Sequence, residues 1–153
     1  MNILARHLTA DFYNCKTSRL QAIERIKDIF PDLLIATKYN VRKISDIEIS
    51  AEHYASVALC SEGHVTLHIY KHLRYVAADV FLCEESAEPE KLFKALRKFF
   101  QPDQTKTIFL KRGDFGREKD IKPRIKIHIA PLKKIKNTGA KVARVIARKI
   151  ISG

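Results

Sequence analysis

Three closely spaced segments of alternating residues constrain the fold of this chain most. Polar and apolar residues alternate over residues 54–60, 65–70 and 75–83, which is typical of strands with one buried face. The connection of residues 61–64 is short, polar and contains glycine, so it favours a hairpin turn. Strands joined by hairpin turns run antiparallel. The sequence therefore predicts an antiparallel sheet at the centre of the fold.

Segments on both sides extend this sheet and add helices. Three further segments are β-prone: residues 3–13, 33–44 and 107–110. Apolar spacing predicts a helix over residues 16–30 that ends at Pro31, and a second helix begins at Pro89. The order β-α-β-β-β-β-α-β predicts an α+β fold, a two-layer sandwich with the antiparallel sheet carrying helices on one face. The other face would stay free, and a dimer could cover it.

The positive charge of the chain is concentrated at its C-terminal end. Residues 1–110 carry 15 Lys/Arg and 14 Asp/Glu, a net charge of +1, whereas residues 111–153 carry 14 and 3, a net charge of +11. This division predicts a domain over 1–110 and a basic extension over 111–153. The extension has no strand or helix pattern before Asn137, and a short basic amphipathic helix follows from Gly139.

A basic extension could bind nucleic acid or an anionic membrane surface. Phe115 is its one aromatic residue, so it offers little for base stacking. A solvated, solubilising tail is the simpler interpretation. Elsewhere, no apolar run approaches the roughly 18 residues of a membrane span, and the N-terminus lacks the apolar stretch of a signal peptide. We therefore expect a cytoplasmic protein.

The residues that could carry chemistry lie in the middle of the chain. His68 and Cys83 fall on separate predicted strands and could face the same side of the sheet. A Cys/His pair can support nucleophilic or proton-transfer chemistry, but both types are often structural in a sheet. The three cysteines, Cys15, Cys60 and Cys83, are odd in number and scattered. That spacing predicts neither a disulfide framework nor a metal site.

Two motifs resemble the prokaryotic S-adenosylmethionine decarboxylase family. The chain has LARHLTADFYNC and then SEGHVTLHIYKHLRYVAADVFLC. Family members have LGRHL…FYxC, then E-S-H-x-x-x-H-x-x-P-E followed closely by YAAxDxFxC. The resemblance covers about residues 3–100. It implies a precursor that cleaves itself before the serine of E-S-H, which becomes a pyruvoyl group. That group acts as an electron sink for decarboxylation, and the product serves spermidine synthesis.

The resemblance assigns roles to individual residues. Glu62 corresponds to the residue before the cleaved bond, His68 to a processing histidine and Cys83 to a proton donor. Tyr70 lies in the stretch for which the resemblance implies substrate binding. His72 stands where the family has a glutamate thought to hold the ribose hydroxyls. Further departures are Ala55, where a second processing serine is expected, and Lys71 in place of proline. The position of the pyruvoyl-forming serine is Gly63.

Three explanations of Gly63 are open at this point. An engineered substitution could trap the precursor, cleavage could have moved to Ser61 or Cys60, or the chain could have diverged naturally. Ala55, Lys71 and His72 disagree with an engineered trap, because such a trap would leave them family-like. We therefore predict a non-catalytic binding or regulatory paralogue without a pyruvoyl cofactor.

Such a paralogue would form a homodimer or a heterodimer with another family member, or it would bind a small molecule in the pocket that holds the substrate in active family members. Two alternatives from other classes remain. One is an active decarboxylase of S-adenosylmethionine or another amino acid, with a relocated or engineered processing site. The other is a module that binds polyanions through the basic extension.

Overall fold

The computed structural model describes residues 5–21, 23–84, 86–113 and 123–131. Its strands are β1 (Ala5–Tyr13), β2 (Val41–Ser50), β3 (His53–Cys60), β4 (Gly63–Tyr70), β5 (Tyr75–Leu82), β6 (Gln104–Arg112) and β7 (Arg124–Ile129). Its helices are α1 (Thr17–Leu20), α2 (Ile23–Ala36) and α3 (Pro89–Phe100). The strands form one antiparallel sheet in the order β2-β3-β4-β5-β1-β6-β7.

The three helices pack on one face of the sheet, which we call the helix face. In β1, Leu8, Ala10 and Phe12 are buried there, and the ring of Phe12 stacks on Phe93 of α3 at 5.6 Å. The alternate residues of each strand point to the other side, the open face. Because alternation has a period of two, the core lies in a single layer between sheet and helices. This arrangement confirms the predicted two-layer α+β sandwich.

The first long helix extends further than the sequence predicts. Pro31 was expected to end it, but Pro31 lies inside α2, which continues to Ala36. Ile26, Phe30 and Leu34 recur at a spacing of four and are all buried in the core. A proline inside a helix costs about 3 kcal/mol, and burying a side chain such as Phe30 or Leu34 contributes roughly 1.5–3 kcal/mol each. The predicted β segment over 33–44 was therefore wrong at its start.

The turn between β3 and β4 is shorter than expected. Residues 61–64 were predicted as the connection, whereas Ser61 and Glu62 alone form it and Gly63 begins β4. Cys60 therefore pairs with Gly63 across the hairpin. Because each hairpin fixes the register of its two strands, this pairing decides which side chains lie opposite each other throughout β3 and β4.

The basic extension contributes a strand that the sequence analysis missed. Strand β7 pairs with β6 and places Ile125 and Ile127 on the open face, 57% and 60% exposed. Its basic residues alternate with these isoleucines, which is itself a strand pattern. The helix predicted from Gly139 lies outside the described residues. That helix, polyanion binding through 111–153 and the domain boundary at 110 stay predictions. In the described part of the chain, no helix is long and apolar enough to cross a membrane.

Candidate functional site

Gly63 occupies the tightest position of the candidate site. It lies between Cys60 of β3 and Leu82 of β5, with φ of +155°. A Cβ atom built at Gly63 would overlap the carbonyl oxygen of Phe81 and lie 3.0 Å from the Cα atom of Leu82. L-residues rarely adopt such a φ, and here the clash is with backbone. The local structure of β4 and β5 is therefore shaped around a glycine.

Glu62 and Cys83 lie beside this glycine. The backbone N–H of Cys83 donates a hydrogen bond to the carbonyl oxygen of Glu62 at 2.6 Å. The carboxylate of Glu62 accepts from the backbone N–H of Asn40, at 3.2 and 3.3 Å to its two oxygens. Cys83 is exposed. The structure thus brings together Glu62, Gly63 and Cys83 at one end of the sheet.

His68 lies far from Cys83 within one copy of the chain. In register, His68 is opposite Ala77 on β5, and Cys83 follows six residues later. Six residues of a strand span about 20 Å. His64 is closer to the hairpin, and its ring stacks on Phe81 at 5.3 Å between centroids. A single copy therefore does not unite the histidine and cysteine that the resemblance singled out.

His68 belongs instead to a row of rings on the open face. A ring nitrogen of His53 lies 3.0 Å from a ring nitrogen of His68, so one donates a hydrogen bond to the other. The ring of His53 stacks on Tyr70 at 4.1 Å, Tyr70 on Tyr75 at 5.7 Å, and Tyr75 on Tyr13 at 5.5 Å. The row crosses four neighbouring strands, β3, β4, β5 and β1. Sequence analysis missed His53, although it alternates in phase with Ala55.

Hydrogen bonds hold the tyrosine part of this row in place. The hydroxyl of Tyr75 donates to a carboxylate oxygen of Asp11 at 2.5 Å. Burial, and then this hydrogen bond, raise the pKa of Tyr75, so the phenol stays protonated at neutral pH. His72 sits outside the row, in the turn after β4, where it is exposed and 3.9 Å from the carboxylate of Glu52.

The neighbouring serine does not replace the one expected at Ala55. Ala55 lies opposite His68 on β4, whereas Ser56 lies opposite Leu67 and is buried on the helix face. Because adjacent strand residues point to opposite faces, the hydroxyl of Ser56 cannot act beside His68.

A second histidine contact lies on the same face. His7 Nε2 donates a hydrogen bond to Asp79 Oδ1 at 2.7 Å. Both residues alternate in phase with other open-face positions, and this pattern could have indicated the pair. Among the described residues, no group of three or more His, Cys, Asp or Glu side chains is placed to hold a metal ion. The open face thus carries one contact between two histidines and one between a histidine and an aspartate.

The cysteines should differ strongly in reactivity. Burial raises the pKa of the Cys15 thiol to about 12 from an ordinary value of 9.0, whereas Cys83 is exposed. At pH 8 this rise lowers the reactive thiolate fraction of Cys15 about 1,000-fold. We expect an alkylating reagent to label Cys83 first on the native chain, with Cys15 protected until unfolding. Peptide mass mapping over time tests this, and early labelling of Cys15 would contradict the burial.

Comparison with known proteins identifies relatives over most of the chain. The family profile of S-adenosylmethionine decarboxylase matches residues 6–113. The S-adenosylmethionine decarboxylase proenzyme of Thermoanaerobacter sp. (strain X514) is 31% identical over 122 residues, covering 80% of this chain and 97% of the relative. The proenzyme of Methanococcus maripaludis (strain S2) is 28% identical over 113 residues, covering 74% and 93%.

The fold agrees with this relationship. The crystal structure of the adenosylmethionine decarboxylase from Aquifex aeolicus superposes with a TM-score of 0.69, covering 77% of this chain and 98% of that one. Sequence identity in that alignment is 15%, so the superposition shows only that the fold is shared. The profile match spans all strands from β1 to β6 and all three helices. This chain belongs to the S-adenosylmethionine decarboxylase family.

Proposed function

We propose that this chain is a non-processing member of its family, which acts as a binding or regulatory partner rather than as a decarboxylase. The observation that carries the proposal is Gly63, in a backbone position that leaves no room for a side chain. Its relatives bear the name proenzyme. The family resemblance implies that their maturation needs a serine at this position.

The chemistry at the hairpin supports this proposal. Self-cleavage would require a hydroxyl at position 63 to attack the carbonyl carbon of Glu62, and glycine carries no hydroxyl. The carbonyl oxygen of Glu62 accepts a hydrogen bond from the backbone N–H of Cys83, which ties the hairpin to β5. The residues present therefore do not fit a pyruvoyl group formed at this position.

Relocated cleavage is less compatible with the contacts of the turn. The hydroxyl oxygen of Ser61 accepts a hydrogen bond from Arg42 Nε at 2.7 Å, and the Ser61 N–H donates to Asn40 at 2.9 Å. Burial raises the pKa of the Cys60 thiol, which lowers its thiolate fraction. The Ser61 hydroxyl oxygen is thus already hydrogen-bonded, and the Cys60 thiol is less often in its nucleophilic thiolate form. An active decarboxylase with a moved processing site is the alternative.

The open face supports a partner for such a protein. Five apolar side chains of that face are 38% to 60% exposed: Ile47, Val57, Leu59, Ile125 and Ile127. With strands about 4.8 Å apart and about 3.3 Å per residue, the face measures roughly 30 by 25 Å, or about 750 Å². A standard interface buries about 800 Å² on each partner. We propose that a second copy, or a paralogue of the same fold, covers this face.

Mass measurement under denaturing conditions tests the proposed lack of processing. We expect one species of 17.6 kDa for freshly purified full-length chain, no carbonyl that reacts with hydroxylamine, and no carbon dioxide released from S-adenosylmethionine. The Thermoanaerobacter relative, prepared in the same way, is the positive control. A fragment with a keto cap that begins between residues 60 and 64 would establish the active alternative.

A further inference from the structure

Positive charge is unevenly distributed between the two ends of the sheet. Helix α2, which packs on the edge strand β2, carries two Lys/Arg and three Asp/Glu. Helix α3, which packs on β1 and β5, carries four Lys/Arg and one Asp/Glu. Strand β7, at the other edge, carries two Lys/Arg and no Asp/Glu. The layer formed by α3 and β7 is therefore basic, whereas α2 is not.

The register of β7 places its cations on the helix-face side of the sheet. Arg124 lies opposite Phe109 of β6, and Lys126 lies opposite Thr107. Phe109 and Thr107 are buried on the helix face, in phase with the core residues of β1. Because adjacent strand residues point to opposite faces, the isoleucines between these cations lie on the open face. Arg124 and Lys126, both exposed, form one row of positive charge beside the helix layer.

Helix α3 contributes a second row that points toward β7. Phe99 faces α2, where it shares a small apolar space with Ile29 and Leu33. Arg97 precedes Phe99 by two residues and so points roughly 160° away from it, toward β6 and β7. Lys94 lies nearly one turn before Arg97 on the same side of the helix and is exposed. We call Lys94, Arg97, Arg124 and Lys126 the basic strip.

The donors of the basic strip are held in place but not engaged. The guanidinium of Arg97 lies 5.9 Å from the ring centre of Phe93, and that of Arg124 lies 5.0 Å from the ring centre of Phe109. A guanidinium stacked in this way keeps its N–H donors at its edge, in the fork geometry that matches phosphate oxygens. No residue of the strip forms an ion pair with another described residue.

The surroundings of the strip favour a nucleic acid over a membrane surface. A membrane-binding surface combines cations with exposed apolar side chains. The large exposed apolar side chains of the described residues lie elsewhere, on the open face, on α2 and in the turn after β4. In the sequence, residues 132–153 follow β7 directly and add seven Lys/Arg and no Asp/Glu. Charge without apolar contacts is what a phosphate backbone requires.

The distance between the two rows favours a single strand. Helix α3 packs on β1, and β7 lies two strands further along the sheet, about 10 Å away. One nucleic acid strand placed between the rows would bring its phosphates within reach of both. The rings of Phe93 and Phe109 are half-buried and buried under their arginines, so the strip offers no exposed aromatic ring on which bases could stack.

We propose that the basic strip binds the phosphate backbone of single-stranded nucleic acid without reading its base sequence. Phosphate oxygens would accept hydrogen bonds from the guanidinium groups of Arg97 and Arg124, and the ammonium groups of Lys94 and Lys126 would add charge on both sides. This site goes beyond the proposed function. It lies on the side of the sheet opposite to the open face, and it does not depend on whether the bond before Gly63 is cleaved.

Fluorescence anisotropy of a labelled oligouridylate of about 12 nucleotides tests the proposal on the full chain. Each phosphate contact to a single strand adds about 0.7 to the slope of log affinity against log salt. We expect Arg124→Gln with Lys126→Gln to weaken binding about 10- to 30-fold at roughly 0.1 M salt and to lower this slope by about 1.4. Lys94→Gln with Arg97→Gln should have the same effect, because the two pairs flank one strand.

The matched control is Arg25→Gln with Lys43→Gln, which also removes one arginine and one lysine from exposed positions, on α2 and β2. It should change the affinity less than about threefold, and circular dichroism should find all three double variants folded. Equal losses in the control and the two strip variants, or no binding by the unmodified chain, would overturn the proposal. Strip variants that lose binding to phosphatidylserine vesicles but keep oligonucleotide binding would overturn it in favour of a membrane surface.

Discussion

Replacing Gly63 with serine is expected to destabilise the fold and to leave the chain in one piece. The new Cβ atom would overlap the carbonyl oxygen of Phe81, so β4 and β5 would have to separate at this end. Backbone strain and overpacking each cost about 1–3 kcal/mol. We therefore expect a loss of about 2–4 kcal/mol in the free energy of unfolding, and a Tm lower by roughly 5–15 °C.

A serine at position 63 would still lack the second processing serine that the family resemblance implies at position 55. Ala55 is the residue opposite His68, and its methyl group cannot take part in proton transfer. The comparison variant is Gly63→Ala, which adds the same Cβ atom without a hydroxyl. Equal Tm losses in the two variants would assign the effect to the Cβ atom. Calorimetry and denaturing mass spectrometry give both results, and efficient cleavage of Gly63→Ser would show that the other departures do not matter.

The sheet and its helix layer could be predicted because local patterns determine them. Alternation located residues 54–60, 65–70 and 75–83 to within two residues of β3, β4 and β5. Features that depend on competition between local and long-range interactions were harder to predict. The buried spacing of Ile26, Phe30 and Leu34 outweighs Pro31, and that outcome depends on the sheet against which α2 packs. Strand β7 was missed because its lysine and arginine residues were interpreted as charge alone.

The candidate site was harder to predict than the fold. Side-chain periodicity predicts on which face of the sheet a residue lies, but not which residues of neighbouring strands lie opposite it. His68 and Cys83 could be assigned to strands from sequence, but their separation of about 20 Å follows from the register. That register is set by the turn of residues 71–74, which places Tyr70 of β4 opposite Tyr75 of β5. The basic strip combines one side of α3 with one side of β7. No local pattern brings those segments together.

Charging the open face should separate the proposed dimer into monomers. Val57 is 38% exposed on that face, midway along β3, and its cross-strand neighbours are Ser45 and Thr66. In Val57→Lys, an ammonium group enters a surface that a second sheet would cover at about 10 Å. Burying an unpaired charge costs several kcal/mol, and the dimer contains two. We therefore expect the dissociation constant to rise at least 1,000-fold, or about 4 kcal/mol.

The matched control is Ile35→Lys, because Ile35 is 63% exposed on α2, on the other side of the molecule. It should dimerise like the unmodified chain. A lysine on a strand surface costs an isolated monomer about 1 kcal/mol, so circular dichroism should find Val57→Lys folded. Sedimentation equilibrium over micromolar concentrations measures the change. An unmodified chain that is monomeric throughout, or equal dimerisation of the two variants, would exclude a second copy as the partner of the open face.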